Sequence, residues 1–203
     1  MNVYFRKVMV VAILLGWISF GYEVFAKGIF DPAVSLPFEL CNIMQITICY
    51  ALWKNKENLI HMISFPLVLG PIIALSHPVG LYDLGGYFSF YFVYYHVTLI
   101  VTGIYALYLK KGHTNWKQVR DSGVFMFCCS LLATIVNVIT NGNYMFIGQP
   151  MFGMTHVSFY VVLFVVSWFG LSLFHLFFTG IHASLAFFRG KQHGKKIKMT
   201  VQS

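Results

Sequence analysis

The sequence predicts an all-α, polytopic membrane bundle of six transmembrane helices with both termini in the cytoplasm. Three observations support this prediction. Hydrophobic residues make up 58% of the chain and charged residues only 10%, which is unlike a soluble domain. Six apolar runs approach the roughly 20 residues that a helix needs to cross a bilayer. Basic residues also cluster in alternate connections between these runs.

The six runs occupy most of the 203 residues. We therefore expect one transmembrane domain over residues 1–203, with short loops and no soluble linker. The runs are Val8–Phe25, Leu36–Trp53, Leu59–Ser76, Phe88–Leu109, Ser122–Thr140 and Val157–Phe178.

The charge distribution favours a membrane protein over a nucleic-acid-binding one, although the formal net charge is +8. Basic residues precede the first run, separate the second from the third and the fourth from the fifth, and follow the sixth. The other connections contain only one basic residue, Lys27. This is the positive-inside pattern, and it predicts a multi-pass protein of the cell membrane that has no nucleic-acid partner.

The first run also resembles a signal peptide, because Val24-Phe25-Ala26 is similar to a cleavage site. Its apolar core is longer than the roughly 7–15 residues usual for a signal peptide. We therefore expect a retained helix, and the rest of the topology is the same in either case.

The start of the second run is chemically unusual for a membrane segment. The sequence LPFELCNIMQ places Glu39, Cys41, Asn42 and Gln45 there, and polar side chains in a membrane normally face the interior of a bundle or a cavity. Pro37 suits the first turn of a helix, so Cys41 is expected near the positive end of the helix dipole, where a thiolate is favoured. Gln45 follows Cys41 by four residues and shares its helix face. The alternative is that Cys41 packs as a small hydrophobic residue.

A histidine lies at a similar predicted depth in the fourth run. At 1.5 Å per residue, His96 is roughly 13 Å below the outer end of its helix, and Cys41 is about 6 to 13 Å deep. The positive-inside orientation puts further polar residues in the same half of the membrane, which predicts one outward-facing polar pocket. These residues are His77, Asp83, Asn137 and Asn141.

Cys41 and His96 are the candidate catalytic pair. A histidine within hydrogen-bond reach converts a thiol to a thiolate and later returns the proton to the leaving group. Glu39, Asn137 or Asn143 would orient the imidazole or donate hydrogen bonds to an oxyanion. The alternative is a hydrogen-bonded core histidine beside a packed cysteine.

The other polar and aromatic clusters suggest weaker hypotheses. His175, Thr179 and His182 form a stripe on the sixth run, but two histidines two turns apart do not readily chelate one ion. An outer site made from His77, Asp83, His96 and His156 is no better supported, and we expect no metal and no cofactor. The aromatic residues of 87–95 are typical of an interfacial belt, although such a wall would also suit an acyl chain.

Four features together resemble the YwaF-like integral membrane proteins of bacteria, whose animal relatives are the transmembrane protein 164 acyltransferases. They are LPFELC before the second run, residues 74–78 (ALSHP), His96, and residues 141–146 (NGNYMF) followed by Gln149-Pro150. Two positions depart from the family pattern: Glu39 stands where relatives often have His, and His77-Pro78 where Thr-Pro is common.

The resemblance implies acyl transfer between lipids through a cysteine thioester, with Cys41 as nucleophile and His96 as its partner. It also implies that Asn143, Tyr144 and Pro150 line the pocket. We therefore expect an acyltransferase whose substrates are membrane lipids. The alternatives are a transporter or small-solute-binding protein without covalent chemistry, and a structural subunit.

Overall fold

The computed structural model describes residues 2–76, 85–109, 114–150 and 153–201, and this part of the chain is helical with no strand. The helices are α1 (Val3–Ala26), α2 (Leu40–Trp53), α3 (Glu57–Ile63), α4 (Pro66–Ser76), α5 (Gly85–Leu109), α6 (Trp116–Thr140) and α7 (His156–Val201), with a 3-10 turn at Tyr144–Phe146. The prediction of an all-α, multi-pass membrane fold is confirmed.

Five stretches of the described residues are long and apolar enough to cross a membrane, whereas the sequence predicted six. They are Val3–Ala26, Glu57–Ser76, Tyr87–Tyr108, Trp116–Thr140 and His156–Ile181. The second predicted span, Leu36–Trp53, corresponds to α2, which has only 14 residues. A helix of that length covers roughly 21 Å, so the irregular segment before it must supply the rest of any crossing.

The start of α2 also differs from the prediction. Pro37 was expected in the first helical turn, but the helix begins three residues later, at Leu40. Glu39 occupies the N-cap in an extended conformation, and its carbonyl accepts the first helical hydrogen bond from the Ile43 N–H at 3.0 Å. Cys41 is therefore the second residue of the helix and lies closer to its positive end than predicted.

The third predicted span is broken between α3 and α4. Pro66 has no N–H to donate to the Met62 carbonyl, so that carbonyl would be left without its helical partner. The Ser122 hydroxyl of α6 donates to the Met62 carbonyl instead. One turn away, the Gln118 side-chain amide donates to the His61 carbonyl at 2.9 Å. Ser122 therefore satisfies the carbonyl that the proline leaves open, as a break at membrane depth requires, and Gln118 adds a second contact between α6 and the end of α3.

The largest group of buried apolar side chains joins α1, α2, α3, α4 and α5. Met44, Ile48, Leu52, Leu67 and Leu99 are all fully buried within it. Large apolar residues elsewhere are exposed, such as Ile18 at 67% and Val138 at 77%. Exposed apolar residues on helices of this length are expected to face lipid.

Close helix approach depends on glycine where α6 meets α7. A Cβ atom added at Gly123 would lie 2.7 Å from the indole ring of Trp168. The absence of a side chain at position 123 thus lets the Trp168 ring lie directly against α6.

The two ends of the bundle are distinguished by the chain segments that lie there. At one end, the Arg6 guanidinium donates to the Leu52 and Trp53 carbonyls at the C-terminus of α2, with a shortest distance of 2.6 Å. We call the opposite end, which carries residues 27–39 and 141–150, the loop end.

Candidate functional site

Cys41 lies in the first turn of α2, at the loop end. Its side chain is half-buried and packs against the main apolar cluster. Met44, Gln45 and Ile48, which follow it on neighbouring helix positions, are all buried. Cys41 therefore belongs to the face of α2 that is directed into the bundle.

Gln45 lies one turn below Cys41 and is only 2% exposed. Its Oε1 atom is buried and has no hydrogen-bond partner in the part of the chain that the structure describes. A buried carboxamide oxygen without a partner costs about 1–3 kcal/mol. Gln45 thus offers an unsatisfied polar group on the same helix face as the candidate nucleophile.

His96 is buried in α5 at 1% exposure. Its Nδ1 lies 2.7 Å from the Phe92 carbonyl oxygen. Because a carbonyl can only accept, Nδ1 carries the hydrogen and a neutral ring keeps its lone pair on Nε2. The hydrogen bonds found among the described residues do not include one between Cys41 and His96.

Tyr95 is a residue whose place at the site the sequence did not predict. It is 8% exposed, and it belongs to the apolar cluster against which Cys41 packs. The sequence interpretation assigned it to an interfacial aromatic belt. The sequence feature that could have assigned Tyr95 to the site was its position directly before His96 and four residues after Tyr91.

A cavity of about 130 Å³ lies between α1, the segment before α2, and α5 at the loop end. Asn42, which follows Cys41 in the chain, and Tyr95, which precedes His96, are among the residues that line it. Its remaining walls are mostly aromatic and include Trp17, Phe20 and Phe92. The cavity therefore combines an apolar volume with a few polar groups, as ligand sites commonly do.

Asn137 and Tyr144 hold the loop after α6 against the segment before α2. The Asn137 side chain donates to the Tyr144 carbonyl at 2.9 Å and accepts from the Tyr144 N–H at 2.8 Å. The Tyr144 hydroxyl donates to the Pro32 carbonyl at 2.7 Å and accepts from the Leu36 N–H at 2.8 Å. Burial raises the pKa of Tyr144, so the phenol keeps the proton that this arrangement uses.

Glu39 also links the segment before α2 to the loop after α6. Its Oε2 accepts a hydrogen bond from the Met145 N–H at 3.1 Å. Met145 has a left-handed φ of 56°, which is uncommon for a residue other than glycine. A Cβ atom at Gly142 would meet the Ala33 carbonyl oxygen at 2.6 Å, so the two segments approach too closely for any side chain there.

The remaining residues that the sequence predicted for the site are Asn141, Asn143, His77 and Asp83. Asn141 ends α6 with a left-handed φ of 53° and is exposed. The Asn143 Oδ1 accepts from the Gln149 N–H at 2.7 Å, so Asn143 shapes its own loop. His77 and Asp83 lie outside the described residues.

The histidine stripe of α7 has a structural explanation where it is described. The Thr114 hydroxyl is 2.7 Å from His175 Nδ1, and the Trp116 and His175 ring centroids are 4.7 Å apart. No group of three or more metal-binding side chains is found among the described residues.

Comparison with known proteins gives one match. The family model described as the TMEM164 family matches residues 1–186. No curated protein and no solved structure matches the chain.

Proposed function

Because this chain belongs to the TMEM164 family, we propose that it is a membrane acyltransferase. It moves a fatty acyl chain between lipids through a thioester on Cys41. His96 acts as the general base, and the site opens at the loop end.

The observation that carries this proposal is the hydrogen bond from His96 to the Phe92 carbonyl. It fixes the ring so that Nε2, rather than Nδ1, is the basic nitrogen. The candidate nucleophile is half-buried in the first turn of α2, two residues from Glu39, so it needs a base to remove its proton. A buried imidazole with a defined tautomer and a thiol at a helix N-terminus are the two parts that thioester chemistry needs.

The first half-reaction transfers the acyl group to the protein. Nε2 of His96 takes the proton from the Cys41 thiol, and the sulfur attacks the carbonyl carbon of a lipid ester. The carbon–oxygen bond then breaks, the leaving alkoxide takes the proton from His96, and a lyso-lipid departs from the thioester.

The second half-reaction reverses these roles. His96 takes the proton from an acceptor hydroxyl, whose oxygen attacks the thioester carbonyl. The carbon–sulfur bond breaks, and the thiolate of Cys41 recovers the proton. Both steps require Nε2 to come within ~3 Å of the thiol, and such contacts commonly tighten only once substrate is bound.

The surrounding residues have separate proposed roles. Gln45 offers its carboxamide to a polar group of the substrate, and Tyr95 forms part of the wall of the 130 Å³ cavity. Glu39, Asn137 and Tyr144 hold the loop over the site, and their hydrogen bonds are the support for that role. Asn141 and Asn143 shape this loop.

The proposed orientation places the loop end outside the cell membrane and both termini in the cytoplasm. The basic residues of alternate connections support it. Membrane lipids then reach the site from the outer leaflet without leaving the hydrocarbon region.

The proposal is tested by looking for the thioester. Purified protein is incubated with phospholipid vesicles, and the peptide containing Cys41 is examined by intact-mass and peptide mass spectrometry. We expect an acyl adduct that neutral hydroxylamine removes. Cys41→Ala abolishes it, whereas Cys49→Ala, on the same helix, keeps it.

His96→Ala is expected to slow adduct formation by about 100-fold or more, the usual contribution of general base catalysis. A wild-type protein that never forms the adduct would contradict the acyltransferase. A transporter or solute-binding protein is indicated instead if Cys41→Ala retains the cellular function in full.

A further inference from the structure

A second apolar space lies beside the candidate site, between α1 and α5. It is a groove of about 330 Å³, with Leu15, Gly16 and Ser19 on one wall and Tyr87, Phe90, Tyr91 and Tyr94 on the other. Tyr91 also lines the cavity that contains Asn42 and Tyr95. The groove and the cavity are thus separated by a shared aromatic side chain, which stacks on Phe20 with ring centroids 4.9 Å apart.

Three of the four hydroxyl groups along this groove, those of Ser19, Tyr87 and Tyr94, already have a partner within the protein. The Tyr94 hydroxyl donates to the Ala12 carbonyl at 2.8 Å. The Ser19 and Tyr87 hydroxyls are 2.5 Å apart. The groove therefore presents mainly hydrocarbon and ring surface, which suits an alkyl chain rather than a polar solute.

Gly16 creates the space in the groove. It is a buried position of α1, and a Cβ atom there would lie 3.1 Å from the Tyr94 ring. A larger side chain at position 16 would fill the groove. Gly21, on the same helix, has no atom within 4 Å of its would-be Cβ and provides a matched control.

A lysine lies over the aromatic wall at the loop end. The Lys27 ammonium lies 5.8 Å from the centroid of the Tyr87 ring and 5.3 Å from that of Phe88. It also forms an ion pair with Glu23 at 2.6 Å, and its side chain is 51% exposed. An exposed ammonium can bind phosphate, and its three N–H donors allow Lys27 to bond a phosphate oxygen while it keeps the ion pair with Glu23.

We propose that the groove between α1 and α5 binds a phospholipid, with one acyl chain along Gly16 and Tyr94 and the phosphate at Lys27. This inference rests on the proposed function, because it identifies the route by which the donor lipid reaches Cys41. Movement of Tyr91 and Phe20 joins the groove to the inner cavity.

The experiment uses the protein reconstituted in phosphatidylcholine vesicles that contain a trace of phosphatidylcholine with a diazirine at the end of one acyl chain. After irradiation, the crosslinked residues are mapped by mass spectrometry. We expect labelling to concentrate on residues that line the groove, which are Leu15, Gly16, Ser19, Phe90, Tyr91 and Tyr94. Gly16→Leu reduces it several-fold, and Gly21→Leu leaves it at the wild-type level.

Lys27→Gln provides a second test, whose result does not depend on whether the protein tolerates leucine at position 16. It is expected to lower crosslinking in the groove. Lys54→Gln removes a lysine that also lies over an aromatic ring, 4.9 Å from the centroid of Trp53, and is expected to have no effect. Equal labelling at Ile18, Val8 and the groove would indicate ordinary surrounding lipid and would overturn the proposal.

The same samples separate this inference from the acyltransferase proposal. If wild-type protein forms no thioester but crosslinking remains confined to the groove, the chemistry fails and the lipid site stands. If the thioester forms at the wild-type rate in both Gly16→Leu and Lys27→Gln and crosslinking is unchanged, the groove proposal fails and the chemistry stands.

Discussion

At the scale of single residues, Gln45 and His96 contrast in how their polar atoms are satisfied. His96 is buried with its Nδ1 hydrogen-bonded, whereas the Oε1 of Gln45 is buried without a partner among the described residues. A group that weakens the folded state and faces a candidate site is often retained for function. Stability and activity should therefore respond to Gln45 in opposite directions.

Gln45→Leu is expected to leave the free energy of unfolding unchanged or to raise it by about 1 kcal/mol, because an apolar side chain of similar volume replaces the unpaired carboxamide. Thioester formation on Cys41 should become slower. Thermal unfolding in detergent and adduct kinetics measure the two effects.

Thr47→Val is the control on the same helix. Its hydroxyl already donates to the Ile43 carbonyl at 2.8 Å, so its removal should not raise stability. A Gln45→Leu protein that is less stable by 1 kcal/mol or more would show that the amide has a structural role instead.

Tyr144→Phe tests the contact that holds the loop. The change removes a hydroxyl that donates to Pro32 and accepts from Leu36, so it should cost about 1–3 kcal/mol. Proteolysis within residues 27–39 should become faster. Tyr22→Phe alters a tyrosine that is 72% exposed and should change neither property; equal effects of both substitutions would contradict the prediction.

At the scale of elements, the break between α3 and α4 depends on a partner helix. Pro66 removes one donor, and Ser122 replaces it at the Met62 carbonyl. The sequence shows the proline but not which helix compensates for it, because that contact joins residues 60 positions apart.

Ser122→Ala should therefore destabilise the protein by about 1–2 kcal/mol, since it leaves a buried carbonyl without a donor. In a Pro66→Ala background the new backbone N–H can bond to Met62, so the same serine change should cost much less. A double-mutant cycle of unfolding free energies gives the coupling. Additive effects of the two changes would show that Ser122 does not compensate for Pro66.

At the scale of the whole molecule, the two ends should lie on opposite sides of the membrane. In a variant without the four native cysteines, Val34→Cys at the loop end should react with an impermeant thiol reagent in intact cells. Asn58→Cys, near the basic end, should react only after permeabilisation. Both positions are exposed, and the reversed pattern would refute the proposed orientation.

The sequence alone determined the fold class, the membrane environment, the family resemblance and Cys41 and His96 as candidates. Composition and the length of the apolar runs carry the fold class and the membrane environment directly, because lipid demands long apolar helices with satisfied backbones. The resemblance and the two candidates rest on short motifs such as LPFELC and NGNYMF. The tertiary structure decided that α2 starts at Leu40, that Asn137, Tyr144 and Glu39 join two distant segments, and that Tyr95 is buried in the apolar cluster against which Cys41 packs. Those outcomes depend on which side chains meet across different helices, and no local period in the chain encodes such meetings.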